Sequence, residues 1–259
     1  MLTTIADLEK HADVLDQLAP LAGLYQRYLE NPYEGHRTPG IHASEVTKCR
    51  RQAYYTLRGV KGTSRPNASM QVRFEHGHAI HEMVQRQLRY MTNTCKDFTA
   101  TFEAEVSTAA TPLGKSHKIT SHCDGILSLL DANKKPFIRV GLEIKSEAHD
   151  SYVKLSGPKE AHLDQATVYM AALDLPLMWF LYINKNNGEH TPMIEPWLVR
   201  FDAPRWQRIF ERIEDTLAHA EAEVLPAVQQ GESGFHCTFC KYQSVCKANE
   251  QTPTFTNLE

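Results

Sequence analysis

The stretch FIRVGLEIKS, residues 137–146, decides the fold class. Ile138, Val140, Leu142 and Ile144 fall on one face, while Arg139, Gly141, Glu143 and Lys145 fall on the other. Strict alternation over this length predicts a β-strand with one core face. The opposite face carries a carboxylate and an ammonium about 7 Å apart, twice the rise per residue. Pattern alone reads as an amphipathic strand with a solvated polar face. Gly141, beside Glu143 on that face, leaves room for a close approach.

Downstream, a helix is predicted over about 158–173, then a buried strand in LMWFLYINK (177–185). IEPWLVRFD (194–202) suits an edge strand, since Pro196 cannot donate to a ladder, and a last helix covers about 203–223. Upstream, KITSHCDGILSLL (118–130) reads as two short strands around Asp124–Gly125 or as one bent strand, Asp-Gly being a strong turn signal. Before it a long helix, about 69–91, shows a core stripe of Val72, Ala79, Ile80, Met83, Val84, Gln87 and Leu88. GTSRPNAS (62–69) is a loop. Ser44 is the expected N-cap of a helix through SEVTKCRRQAYYTL ending near Gly59. Residues 4–30 look helical around a break at Pro20, and 31–40 form a loop or linker. Helix, strands, helix, strand, helix predicts an α/β fold with a mixed central sheet flanked by helices.

At 259 residues, with 42% hydrophobic and 23% charged residues, the chain can bury one full core. The longest apolar run, LPLMWFLYI (175–183), is too short to span a bilayer. MLTTIADLEKHADVLD lacks the basic and apolar regions of a signal peptide, so a cytoplasmic protein with reduced cysteines is expected. The net charge of −3 argues against a generally basic nucleic-acid coat. Between Val46 and Arg73, however, seven basic residues occur without one acid: Lys48, Arg50, Arg51, Arg58, Lys61, Arg65 and Arg73. With Tyr54 and Tyr55 among them, this stripe reads either as a solvated face or as a track for a phosphate backbone.

Several residues are candidates for chemistry. Asp124, if a strand holds it beside Glu143, completes a pair of carboxylates whose hard oxygens suit Mg²⁺ or Mn²⁺. His122 shares its neighbourhood and reads as a structural histidine. Gly77, mid-helix at a cost of about 1 kcal/mol against alanine, lies one turn before His81 and opens a gap beneath its imidazole. Gln165 and Tyr169 are four apart on one helix face, where Tyr169 also suits plain core. FHCTFCKYQSVCK places Cys237, Cys240 and Cys246 in a C-x2-C-x5-C run, one ligand short of a Cys₄ zinc or iron–sulfur site. A thioredoxin-like CxxC is disfavoured, because no strand precedes it in a βαβ context. Cys95 and Cys123 read as buried or incidental thiols.

The order GxxxH, Asp-Gly, Glu-x-Lys on a strand, Gln-x-x-x-Tyr on the next helix and a terminal cysteine run resembles the RecB-like branch of the PD-(D/E)XK nucleases. More narrowly, it is similar to the iron–sulfur exonucleases typified by CRISPR-associated adaptation nucleases and the AddB nuclease domain. The resemblance covers about residues 40–250 and implies a restriction-endonuclease-like core, with residues 1–39 as an N-terminal helical extension and 251–259 as a tail. It implies metal-dependent hydrolysis of DNA at ends or single strands. His81, Asp124, Glu143 and the carbonyl of Ile144 would hold Mg²⁺ or Mn²⁺, with Lys145 as the catalytic ammonium. Gln165, Tyr169, Lys48, Arg50 and Arg51 would contact nucleic acid. The family's lone upstream cysteine falls on Cys49, so the implied cluster is [4Fe–4S] on Cys49, Cys237, Cys240 and Cys246, whereas spacing alone leaves structural Zn²⁺ equally open. Two departures stand out: Cys123 replaces the proline before Asp124, and residues 1–39 have no counterpart, which makes them a candidate partner-binding segment. Rival readings are a specific endonuclease or end-trimming subunit of a larger complex, a DNA-binding scaffold without catalysis, and a zinc-dependent interaction protein. No Walker-type GKT or GKS occurs to drive a fused motor.

Overall fold

The computed structural model of the chain describes residues 25–26, 28–29, 38–46, 48–62, 67–95, 99–191, 197–227, 237 and 240–251. The expected helix over 4–30, the loops at 31–40 and 62–69, Arg65, Pro196 and the tail lie largely or wholly outside them. The chain divides into two compact units: Met1–Arg37 with Arg65–His76, and Thr38–Ser64 with Gly77–Glu259. Everything bearing on the candidate site belongs to the second.

After a 3-10 turn at Ala43–Glu45, the elements are α1 (Arg50–Leu57), α2 (Ala68–Thr94), β1 (Ala100–Ser107), α3 (Pro112–His117), β2 (His122–Leu130), β3 (Pro136–Glu147) and α4 (His149–Tyr152). Then come α5 (Glu160–Leu173), β4 (Leu177–Asn184), β5 (His190–Thr191), β6 (Trp197–Arg200), α6 (Ala203–Glu221) and α7 (Gln243–Gln251). β1, β2 and β3 form an antiparallel meander, and α5 crosses over so that β4 runs parallel to β3. β5 and β6 both pair antiparallel with β4, completing a mixed sheet of six strands among the described residues. This is the expected α/β arrangement, a mixed central sheet flanked by helices. No helix among the described residues is long and apolar enough to cross a membrane.

Both faces of the sheet are covered. On one, Val84 and Leu88 of α2 pack with Leu142, Ile144, Leu181 and Ile183. On the other, Val168 and Met170 of α5 and Ile209 and Ile213 of α6 pack with Met178 and Phe180. β3 is therefore buried on both sides from Val140 to Ile144, and Glu143 is 1% exposed. The polar face read as solvated is covered by α5, because a parallel β3–β4 pair demands a crossover helix.

Three local expectations are corrected, and one open choice is decided. Of the two readings of 118–130 the single strand holds, since Asp124 and Gly125 both lie within β2 with no turn between them. Glycine is required there because a Cβ at position 125 would stand 2.5 Å from Cζ of Phe102 on β1. Gly141 opens no space for a ligand, since Met178 fills it and a Cβ would come within 2.7 Å of its Cε. Ser44 caps no helix. The chain is pinned there by the Ile41–Ile119 bridge and by the Ala43 N–H donating to Ser121 Oγ at 2.7 Å, then extends at Cys49 before α1 begins. Gly59, at φ +66°, ends that helix as expected. On α2, Ala79 and Gln87 are exposed, and Gln85 is buried instead. β1 and α3 are additions to the predicted elements.

Candidate active site

The site opens where the meander splays. The β2–β3 ladder reaches Gly125↔Leu142 and goes no further toward Asp124. Beyond it the Ile144 N–H donates to Asp124 Oδ2 at 2.6 Å, so a side chain replaces the missing strand partner. Cys123, fully buried, donates its S–H toward the carbonyls of Gly125 (3.3 Å) and Leu142 (3.5 Å). Burial raises the Cys123 thiol far above its ordinary range, and Glu143's charge pushes the same way, so it remains a thiol.

His81 of α2 and Asp124 of β2 meet with Nδ1 to Oδ1 at 3.2 Å. Burial alone would lower the histidine's pKa, but the hydrogen bond and charge of Asp124 outweigh it, and the net shift is upward. Gly77, one turn earlier, has room beside it: among the described residues a Cβ there would meet only Ser146 Oγ, at 3.9 Å.

On β3, Lys145 Nζ sits 2.5 Å from Glu143 Oε1, while Oε2 of Glu143 is buried without a hydrogen-bond partner. Burial drives the Glu143 carboxyl up, opposed by the Lys145 charge and reinforced by Asp124, to about 7. Burial pulls the Lys145 ammonium down, yet Glu143 more than offsets this, and its pKa is raised. Lys145 also donates to Gln165 Oε1 at 3.2 Å, and Gln165 Nε2 donates to the Tyr169 hydroxyl at 3.0 Å. Tyr169 is 4% exposed, and burial holds its phenol well above the ordinary value. The residues expected from α2, β2, β3 and α5 are thus brought into one chain of contacts.

Two neighbours were missed by sequence reasoning. Gln85, one turn after His81, donates to the Asp124 carbonyl at 2.9 Å and to Glu105 Oε1 at 2.5 Å. The i, i+4 spacing from His81 was the available signal. His162 of α5 pairs its Nδ1 with the Tyr182 hydroxyl at 2.7 Å. Burial, then the charges of Lys145 and Lys159, lower its pKa to about 3, so the ring is neutral. His122, read as a structural histidine, is exposed.

The basic residues of the N-terminal helix serve internal contacts. Arg50 pairs with Asp215 on α6 at 2.8 Å. Arg51 donates to the Pro226 carbonyl at 2.8 Å and to Cys246 Sγ at 3.3 Å, and the Lys48 carbonyl accepts from Arg212. The C-terminal segment docks on α1 through Tyr242, whose ring lies 5.2 Å from that of Tyr55 and whose hydroxyl is 3.1 Å from Thr56 Oγ1. Burial raises the Cys240 thiol, and the charges of Cys49, Cys237 and Cys246 add to that shift. Among the described residues none of the four is in a disulfide, and no group of three or more His, Cys, Asp or Glu stands at the spacing of a metal site. Cys95 is exposed.

No protein-family model and no curated protein matches the chain. Solved structures similar to it include that of SSO0001, with a TM-score of 0.49 and 16% identity over 88% of this chain and 96% of that one. Another is LHK-Exo in complex with dAMP (TM-score 0.47, 17% identity, 83% of this chain and 95% of that one). A third is the alkaline exonuclease LHK-Exo from Laribacter hongkongensis (TM-score 0.47, 17% identity, 83% of this chain and 96% of that one).

Proposed function

We propose that the protein is a divalent-metal-dependent deoxyribonuclease of the RecB-like PD-(D/E)XK kind, acting as an exonuclease on DNA ends or single strands. The meeting of Asp124, Glu143 and Lys145 where β2 parts from β3, with His81 against Asp124, supports this reading best. Glu143 Oε2 is a buried carboxylate oxygen with nothing to bond, an expensive feature unless a cation takes it. Carboxylates and an imidazole suit Mg²⁺ or Mn²⁺, and Asp124, Glu143, His81 and the Ile144 carbonyl would hold it. Bound there, the ion would acidify a water and offset charge on the phosphate in flight.

The chain's own residues do the rest. Lys145, paired with Glu143, would orient or deprotonate the water and offset charge on the phosphate. Gln165, bonded at both ends, holds the ammonium in place and is held by Tyr169. Any contact of this pair with nucleic acid adds to that positioning role. Lys48, Arg50 and Arg51 are the proposed guides for the DNA strand, with Arg50 and Arg51 held by Asp215 and by the Pro226 carbonyl. We further propose that Cys49, Cys237, Cys240 and Cys246 hold a [4Fe–4S] cluster, with Zn²⁺ as the alternative, fastening α1 to the C-terminal segment. Residues 1–39 are the proposed protein-binding segment.

The test is degradation of end-labelled single-stranded DNA, linear duplex and closed circles with Mg²⁺ or Mn²⁺, using protein purified without oxygen beside Glu143→Ala. Metal-dependent loss of linear DNA, abolished in the variant, is expected. Cleavage of circles would move the assignment to an endonuclease. No cleavage by folded, cluster-loaded protein would refute the enzyme reading. Iron, sulfide and zinc content of the same sample decides the cluster.

A further inference from the structure

The long helix α2 grips Asp124 at two points one turn apart. His81 holds its carboxylate at 3.2 Å, and Gln85, four residues on, holds its backbone carbonyl at 2.9 Å. Gln85 is 5% exposed, and its amide nitrogen also donates to Glu105 Oε1 at 2.5 Å. Glu105 stands across from Asp124 on β1, yet the two do not pair. The register runs through Ala104↔Gly125, resumes at Val106↔Cys123 and omits the rung between. At that rung Glu105 takes φ +55°, a left-handed backbone that residues other than glycine adopt against strain. With the rung missing, the donor received by the Asp124 carbonyl is the Gln85 amide. A buried amide, a strained glutamate and a broken ladder thus meet at one residue.

We propose that Gln85, anchored by Glu105, is the positioning residue that fixes Asp124 for its ligand role. This rests on the nuclease reading, in which Asp124 and His81 bind the metal ion. Gln85 touches neither substrate nor ion. It holds the β2 backbone so that the Asp124 carboxylate keeps its one geometry between His81 and the Ile144 N–H. Glu105 acts as an acceptor for Gln85 and not as a ligand.

The test is Mn²⁺ binding to the full chain by calorimetry, read beside thermal stability and nuclease kinetics. Gln85→Met keeps the buried volume and removes the donor. It is expected to bind Mn²⁺ roughly 10- to 100-fold more weakly, as when a partner that orients a metal ligand is lost. The Mn²⁺ needed for half-maximal cleavage should rise in step, with KM for DNA and the unfolding temperature of metal-free protein little changed. Glu105→Gln preserves an acceptor and should match the wild type, whereas Glu105→Ala should share the Gln85→Met defect. Should Gln85→Met not fold, the exposed Glu105 pair of variants carries the same test. Wild-type Mn²⁺ affinity in Gln85→Met would overturn the proposal, as would equal losses in both Glu105 variants, which would make Glu105 a ligand. Wild-type protein that neither binds Mn²⁺ nor cuts DNA would instead overturn the nuclease reading itself, and this proposal with it.

Discussion

Stability of the metal-free protein should fall as pH rises from about 4.5 to about 7, and a divalent ion should cancel the fall. Glu143 carries the effect. Its carboxyl pKa is raised from 4.5 to about 7 by burial, with Lys145 opposing and Asp124 adding. The folded state therefore holds the proton more tightly than the unfolded chain. The associated stability is complete below pH 4.5 and is lost as pH climbs through about 7. At 1.36 kcal/mol per pH unit, that interval corresponds to about 3 kcal/mol as a ceiling. His81, with its pKa also raised, contributes in the same direction, losing stability above its folded pKa. For a chain of this size about 3 kcal/mol moves the unfolding temperature by roughly 6–12 °C. An ion binds the deprotonated ligands, so the increase in Tm on adding Mg²⁺ should be several degrees larger at pH 8 than at pH 5. Scanning fluorimetry in chelator and in Mg²⁺, across pH 4.5 to 8.5, measures this directly. Glu143→Gln supplies the reference, since its metal-free profile should lack Glu143's share of this slope and keep only that of His81. Equal Mg²⁺ increments at pH 5 and pH 8, or identical chelator profiles for wild type and Glu143→Gln, would refute the reasoning.

Gly141→Ala should lose about 1–3 kcal/mol through overpacking, because its Cβ would meet Met178 Cε and Sδ at 2.7 and 2.8 Å. Combining it with Met178→Ala should recover much of that loss in urea unfolding. Tyr242→Phe should cost about 1 kcal/mol by removing the bond to Thr56 inside a buried contact, and limited proteolysis should then cut the C-terminal segment faster. Cys49→Ser should lower bound iron or zinc and destabilise the chain, while Cys95→Ser, at an exposed thiol, should do neither.

The core strand was legible because period two is hard to imitate, and Glu143 and Lys145 came with it. β1 carries the same alternation, Phe102, Ala104 and Val106 against Thr101, Glu103 and Glu105, but its small alanines give a faint signal. α3 advertises itself through Thr111 as N-cap and Pro112 in the first turn, yet six residues with a glycine inside fall below what helix periodicity can register. Asp124–Gly125 left two readings open for a physical reason: local turn preference competes with sheet pairing, and pairing and the ring of Phe102 decide for one strand. The i, i+4 spacing from His81 was the one hint of Gln85, and its contacts stayed hidden because a lone glutamine on a helix reads as a solvent face until the strand beside it is known to break. The internal use of Arg50 and Arg51 was hidden likewise, since Asp215 and Pro226 are distant in sequence.

The docking of Tyr242 on Tyr55 and Thr56 also sets an order of events on the ribosome. Helix α1 emerges early, but the surface that covers Tyr54 and Tyr55 is translated almost two hundred residues later. At about 5–20 residues per second that is a wait of roughly 10–40 s, during which an apolar, thiol-bearing helix end stands uncovered in the nascent chain. The interval is long enough for chaperones to reach it first. Slowing translation between α1 and α7 should therefore change yield more than the finished protein's stability would foretell.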